Sequence, residues 1–228
     1  METISCCSCI NAGCFVKLCS DDWIRLIDPK KIQSYYQKGQ KIFTEGSPVS
    51  GVYFIQKGKA KVFLTGFQNR EQIVRFAADG HILGHRGIGN DVYPVSAVAM
   101  EESSICFIKN DLLNQLFMRN PRFTIELMMY YSRELRKAES RMKNIAQMNV
   151  RGKIAETLLV LYENFGLDEH QELNVPFTRE DLASASGSTR QQVVQQLTEF
   201  EKDGLIEKNG KKVVLKNLQA LREILYKS

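Results

Sequence analysis

The sequence has no apolar run approaching the roughly 20 residues that a membrane span needs, and its mean hydropathy is −0.26. A membrane partner is therefore not expected. Met1 is followed by polar residues and cysteines instead of a basic segment and an apolar core. No secretory signal is read there, and a cytoplasmic location is expected. Histidine is scarce, with three in 228 residues, and no nucleophile–base–orienter pattern stands out, so an enzyme is not expected. A large charge excess is missing too: 31 Lys+Arg face 26 Asp+Glu, a net of +5. What is present is an ordinary globular mixture, 43% hydrophobic and 25% charged, which excludes long disorder and fibrous rods.

The small positive excess is unevenly placed. Up to Val150 there are about 20 basic and 14 acidic residues, and after it about 11 and 12. Any case for nucleic acid must then rest on a local motif. The six cysteines are uneven as well: Cys6, Cys7, Cys9, Cys14 and Cys19 crowd the first twenty residues, and Cys106 stands apart. In a cytosolic chain of this size, such clustering points to metal or redox chemistry more often than to structural disulfides.

Ser20 reads as the N-cap of a short helix to Ile27, with Asp21 and Asp22 in its first turn. From about Gln33 to Ile108, runs rich in Val, Ile, Phe and Tyr alternate with glycine turns, as in VYFIQKG and KAKVFLTG. That texture predicts a small antiparallel barrel or jelly roll. Asp111–Leu116 reads as a short helix, and Pro121 as the opening of a long one. On the long helix Met128, Tyr131, Leu135, Ala138, Met142 and Ile145 follow each other at spacings of 3 and 4. This is a heptad seam, expected to join two copies of the chain; the alternative is packing on its own barrel.

The last part reads as helix, then strand. Ile154–Phe165 is one helix, Thr178 opens a second that Gly187 ends, and Ser188-Thr189 starts a third carrying Val193, Val194, Leu197 and Phe200 inward. Two short strands follow around Asn209-Gly210, a hairpin signal. Helix, glycine turn, helix and basic hairpin form a winged helix-turn-helix. Its second helix must project small polar and charged side chains into a major groove. Here these are Ser188, Thr189, Arg190, Gln191, Gln192 and Gln195; Arg reads guanine and Gln reads adenine. Thr178 and Arg179 flank them, and Lys208, Lys211 and Lys212 on the wing are expected to meet phosphate.

KIFTEGSPVSGVYFIQKGKAKVF and FTREDLASASGSTRQQVVQQLTEFEKDGLI resemble the barrel and the helix-turn-helix of the bacterial regulators related to the cyclic-AMP receptor protein and the fumarate–nitrate reduction regulator (CRP/FNR). The resemblance implies an α+β fold: an N-terminal double-stranded β-helix (jelly roll) effector domain, a long dimerisation helix and a C-terminal winged helix-turn-helix. It divides the chain into a Cys-rich segment (1–20), a cyclic-nucleotide-binding-like sensor (21–117), the helix (118–149) and the DNA-binding domain (150–228). It implies a homodimer on near-palindromic promoter DNA, with RNA polymerase as a further partner. The DNA-reading signature departs in part. Arg190 falls where the cyclic-AMP receptor protein branch also has an Arg, but Gln191 replaces a Glu and Gln195 an Arg common to both branches, so the familiar operators are not expected.

Cyclic nucleotide sites of this family need a Gly-Glu pair and then Arg-Ser or Arg-Thr. The matching stretch here, Gly84, His85, Arg86, Val95 and Ser96, lacks both the Glu and the Arg that would pair with phosphate. Cyclic AMP is not expected. The iron–sulfur branch implies a 4Fe–4S cluster held by Cys6, Cys9, Cys14 and Cys106, with one residue fewer between Cys9 and Cys14 than that branch has. Cys7 and Cys19 offer competing sets. A thiol switch, another metal such as zinc, haem on His81 or His85, and no role at all are the alternatives for these residues. From another class, the rival is a ligand-binding module whose helix-turn-helix is vestigial.

Overall fold

The computed structural model describes residues 4–210 and 212–227. Lys211 lies outside the described residues, so its expected role on the wing has no structural counterpart. The chain forms two compact units. One takes in the chain up to Leu64 together with Ala77–Arg136, and the other takes Thr65–Phe76 together with the chain from Lys137 onward.

In the first unit a 3-10 turn, Phe15–Leu18, precedes α1 (Asp21–Ile27). Asp21 and Asp22 complement the dipole of α1, while the Ser20 side chain makes no capping bond. The strands along the chain are β1 (Ile32–Tyr36), β2 (Lys41–Phe43), β3 (Gly51–Lys57), β4 (Ala60–Thr65), β5 (Glu71–Ala77), β6 (Ile82–Leu83), β7 (Ser96–Ala99) and β8 (Ser103–Lys109); most of β5 and the last residue of β4 fall in the second unit, the rest in the first. They make two four-stranded sheets, β1-β8-β3-β6 and β2-β7-β4-β5, the jelly roll that the glycine-punctuated texture implies. Gly51 shows why one of those glycines is needed: a Cβ there would stand 2.1 Å from the Ile108 carbonyl oxygen on the neighbouring strand.

Side chains alternate across β3 and β8. Val52, Phe54 and Ile108 turn to one face, where they join Val16, Ile24, Ile27, Ile82 and residues of the two following helices. Those helices are α2 (Asn110–Arg119) and α3 (Pro121–Gln147). Leu112, Leu113, Leu116, Phe123 and Leu127 supply their share of this core, each fully buried apolar side chain contributing roughly 1.5–3 kcal/mol. The helix expected at Asp111–Leu116 runs on to Arg119, and Pro121 then bars a continuous helix and opens the next. The core thus lies between one sheet and the N-terminal segment with α1, α2 and the start of α3.

In the second unit Asn149 caps α4 (Val150–Phe165), its Oδ1 accepting from the Gly152 N–H at 2.9 Å. Then come α5 (Arg179–Ser186), α6 (Arg190–Lys202), β9 (Ile206–Asn209), β10 (Lys212–Leu215) and α7 (Leu218–Lys227). α7 follows the hairpin that the sequence pattern reads as the end of the chain. It packs against α4, and its Leu221 is fully buried. No described helix is long and apolar enough to cross a membrane.

Candidate functional site

The helix-turn-helix is built by local chemistry. The Thr178 hydroxyl accepts from the Asp181 N–H at 3.0 Å while Asp181 accepts from the Thr178 N–H at 2.8 Å, a reciprocal capping box for α5. Gly187 closes α5 at φ +63°, and its N–H donates to the Ala183 carbonyl. Thr189 and Gln192 repeat the box on α6, at 3.2 and 2.9 Å. Val193, Leu197 and Phe200 anchor α6 in the core. Val194 does not join them: it is 48% exposed, because a helix turns about 100° per residue and carries it past the buried arc. The outer face of α6 therefore presents Arg190, Gln191, Val194, Gln195 and Thr198, with Ser188 half-buried beside it. Val194 and Thr198 share this exposed face, which the apolar character of one and the helix-interior place of the other do not announce in the sequence.

The described wing lysines, Lys208 and Lys212, are paired within the chain. The Lys212 ammonium pairs with the buried Glu172 carboxylate and with Asp168 at 3.3 Å. Lys208 pairs with Glu201 at 2.9 Å and donates to the Thr198 hydroxyl at 3.1 Å. Both cations are engaged inside their own unit. Arg179 is half-buried, and burial lowers its pKa.

The seam residues of α3 fall into two groups. Met128, Leu135, Ala138 and Met142 are exposed. Tyr131 is half-buried and its hydroxyl donates to the His85 carbonyl. Ile145 is half-buried too, next to Gly187: a Cβ added there would meet Ile145 Cγ2 at 3.4 Å.

The cyclic-nucleotide-like stretch has His85 and Val95 at the positions where the resemblance implies Glu and Arg. Val95 is buried, and the Ser96 hydroxyl accepts from the Glu45 N–H at 2.9 Å. Gly84 is left-handed at φ +74°, where a Cβ would crowd Tyr93 and Tyr53 at 3.1 and 3.2 Å. His85 is buried, with its ring edge-on to both Tyr130 and Tyr131, and Arg86 is half-exposed at the following position. His81 serves its own turn, Nδ1 accepting from the Ala78 N–H at 3.2 Å.

The structure sorts the cysteines. Cys6, Cys9, Cys14 and Cys106 line one cavity in the first unit, walled by Ile4, Val16, Ile27, Phe54, Ile55 and Ile108. Cys7 is exposed, and Cys19 is buried in the apolar core. Cys106 reaches the cavity from β8, paired with Phe54 of β3 on one side and Gln33 of β1 on the other. The N-terminal segment is tied over that sheet. Asn11 donates to the Gln56 carbonyl, the Lys17 ammonium donates to the Cys6 carbonyl at 2.5 Å, and Asp28 accepts from the Ser5 hydroxyl at 2.6 Å and the Cys6 N–H at 2.7 Å. Burial pushes the Cys14 thiol up to about 12, with neighbouring Cys9, Cys106 and Cys6 adding to the shift. Burial likewise takes Cys106 to about 11, Lys31 opposing. Thiols with such values stay protonated near neutral pH and are poor nucleophiles until a metal displaces the proton. Among the described residues, no three His, Cys, Asp or Glu side chains stand close enough together to hold a single metal ion.

Two family models match the chain: the cyclic nucleotide-binding domain over residues 33–120 and the Crp-like helix-turn-helix domain over residues 152–224. The chain is 29% identical over 179 residues to the transcriptional activator protein anr of Pseudomonas aeruginosa, covering 78% of this chain and 73% of that one. It is 27% identical over 190 residues to the fumarate and nitrate reduction regulatory protein of Escherichia coli, covering 82% and 76%. FixK2 from Bradyrhizobium japonicum shares the fold, with a TM-score of 0.77 at 22% identity over 85% of this chain and 96% of that one. A jelly roll, a long helix and a Crp-like helix-turn-helix define a DNA-binding transcription regulator, not an enzyme. The chain belongs to the CRP/FNR family.

Proposed function

We propose that this regulator acts as a homodimer that senses redox state, oxygen or nitric oxide, and not cyclic AMP, through a 4Fe–4S cluster held by Cys6, Cys9, Cys14 and Cys106. The observation that carries this reading is the sorting of the cysteines: these four line one cavity, while Cys7 faces out and Cys19 sits in the core. Four soft thiolates suit iron, and a cubane spreads its ligands over four irons, which fits donors gathered around a cavity without closing on one point. When bound, the cluster supplies a redox centre that oxygen or nitric oxide can destroy. The protein's part is to hold it between apolar walls that limit water.

In this reading residues 1–20 and 21–117 form the sensor, 118–149 the dimerisation helix and 150–228 the DNA-binding domain. Met128, Leu135, Ala138 and Met142 on α3 meet their counterparts in the second chain, and Tyr131 and Ile145 border that seam. The dimer presents two α6 helices to a near-palindromic promoter site in the cytoplasm, one per half-site. Arg190, Gln191 and Gln195 read base edges. Ser188, Thr189 and Gln192 place the end of α6, and RNA polymerase is the next partner. Val95 at the position of the phosphate-binding Arg argues against a cyclic nucleotide, since it offers no charge-assisted contact.

Anaerobic protein tested on promoter fragments decides between this and a ligand-binding module with a vestigial helix-turn-helix. The expected result is sequence-specific binding that weakens steeply with salt and falls after exposure to air. No binding in either redox state refutes the regulator, and equal binding in both refutes the sensor.

A further inference from the structure

Beside the four thiols lies an ion pair that the sensing reading does not use. Lys31 lines the same cavity as Cys6, Cys9, Cys14 and Cys106. Its side chain is 2% exposed and pairs with the Asp28 carboxylate. Asp28 in turn accepts from the Ser5 hydroxyl and the Cys6 N–H. Burial raises the Cys6 thiol pKa, with the Lys31 charge opposing the rise and Asp28 adding to it, and the Lys31 charge also opposes the rise at Cys106. Lysine is rarely buried without a reason, and its ammonium is held here by a carboxylate that the N-terminal segment folds around.

We propose that the Lys31–Asp28 pair sets the electrostatic poise of the four-thiol site, Lys31 as the cation that compensates the ligand charge and Asp28 as the anion that holds it there. This rests on the cluster reading above. A cluster with four thiolates is an anion in a low-dielectric wall, and its potential follows net charge and hydrogen bonds to its sulfurs. A cation at the cavity favours the more negative, reduced form, and a carboxylate opposes it. Lys31 is thus a positioning and tuning residue, separate from the ligands themselves.

The test is a redox titration of the anaerobically loaded full chain, with one electron delivered by a mediated viologen titrant and no bond made or broken. Iron and sulfide are counted in every variant. Lys31→Met is expected to shift the midpoint to more negative potential, Lys31→Arg to return it towards wild type, and Asp28→Asn to shift it to more positive potential. Opposite signs from the two partners are not the pattern of a merely loosened fold. A loaded Lys31→Met with the wild-type midpoint overturns the inference while leaving the cluster reading intact. A wild-type chain that takes up no iron overturns the cluster reading and this one with it. Should Lys31→Met alone fail to load, Asp28→Asn decides: a positive shift supports the pair's role, and an unchanged midpoint overturns it.

Discussion

Phe15 stands edge-on to Tyr130, their ring centroids 5.2 Å apart and their planes at 78°. Phe15 follows Cys14 directly, and Tyr130 lies on α3 two residues after Met128 of the exposed seam. Phe15 also meets Phe123 of the same helix at 6.4 Å, and Tyr130 in turn meets His85 at 5.3 Å. The thiol segment and the proposed dimer helix therefore share one aromatic contact set. Such a contact is worth about 0.5–1.5 kcal/mol beyond the area it buries. Phe15→Ala is expected to lower stability by about 1–3 kcal/mol and to make dimer affinity less responsive to air. Denaturant melts and sedimentation before and after air exposure check both. An air response of wild-type size would remove Phe15 from the coupling.

The exposed seam gives a second expectation. Leu135→Glu places a charge where two copies would bury it, yet in the single chain this residue is 61% exposed. The change should leave the fold of one chain within about 0.5 kcal/mol while shifting sedimentation from dimer to monomer. A variant that still sediments as a dimer would contradict the seam.

On the DNA side, Arg190→Ala is expected to cost roughly 1–3 kcal/mol and to relax base preference at one position of each half-site. A uniform loss across sequences would assign Arg190 to phosphate instead. Lys212→Ala should behave differently from an ordinary phosphate contact, because Lys212 is already paired with Glu172 and Asp168. The slope of affinity against salt should stay as in wild type, while the melting temperature falls as the buried Glu172 loses its cation. A smaller salt slope would show that the pair opens on DNA.

Asp28 predicts a pH dependence. Burial alone would raise its pKa, but hydrogen bonds from Lys31, the Ser5 hydroxyl and the Cys6 N–H outweigh it and hold the carboxyl well below the usual carboxylate range. A depressed folded-state value contributes stability that is whole above the unfolded pKa, about 3.9 for Asp. That contribution is lost as pH falls through the folded value. In iron-free protein, the melting-temperature gap between wild type and Asp28→Asn should be constant near neutral pH and shrink below about pH 4. A gap that grows on acidification would reverse the assignment.

Much of this was legible in the chain, for definable reasons. The helix-turn-helix is written in local chemistry: Thr178 with Asp181, Gly187, and Thr189 with Gln192 each act within a few residues. The jelly roll follows from short strands and glycine turns. What the chain concealed depends on contacts across long sequence separations. Cys7 and Cys19 compete with the other cysteines on paper, and only the return of β8 beneath the N-terminal segment separates them. Lys212 reads as a phosphate contact, and its pairing with Asp168, 44 residues earlier, and with Glu172 is invisible along the chain. Lys31 and Asp28 resemble surface charges, and helix α7 follows a hairpin that read as the end of the domain. Val194 shares the helical spacing of the buried Val193, Leu197 and Phe200, whereas its angle on α6 turns it outward.

The most direct test is an iron and sulfide count on the anaerobically purified chain and its six single Cys→Ser variants. The account predicts about four irons and four sulfides per chain in wild type. That content should be retained in Cys7→Ser and Cys19→Ser and lost in Cys6→Ser, Cys9→Ser, Cys14→Ser and Cys106→Ser. A colourless, iron-free wild type, or loss spread equally over all six variants, would contradict it.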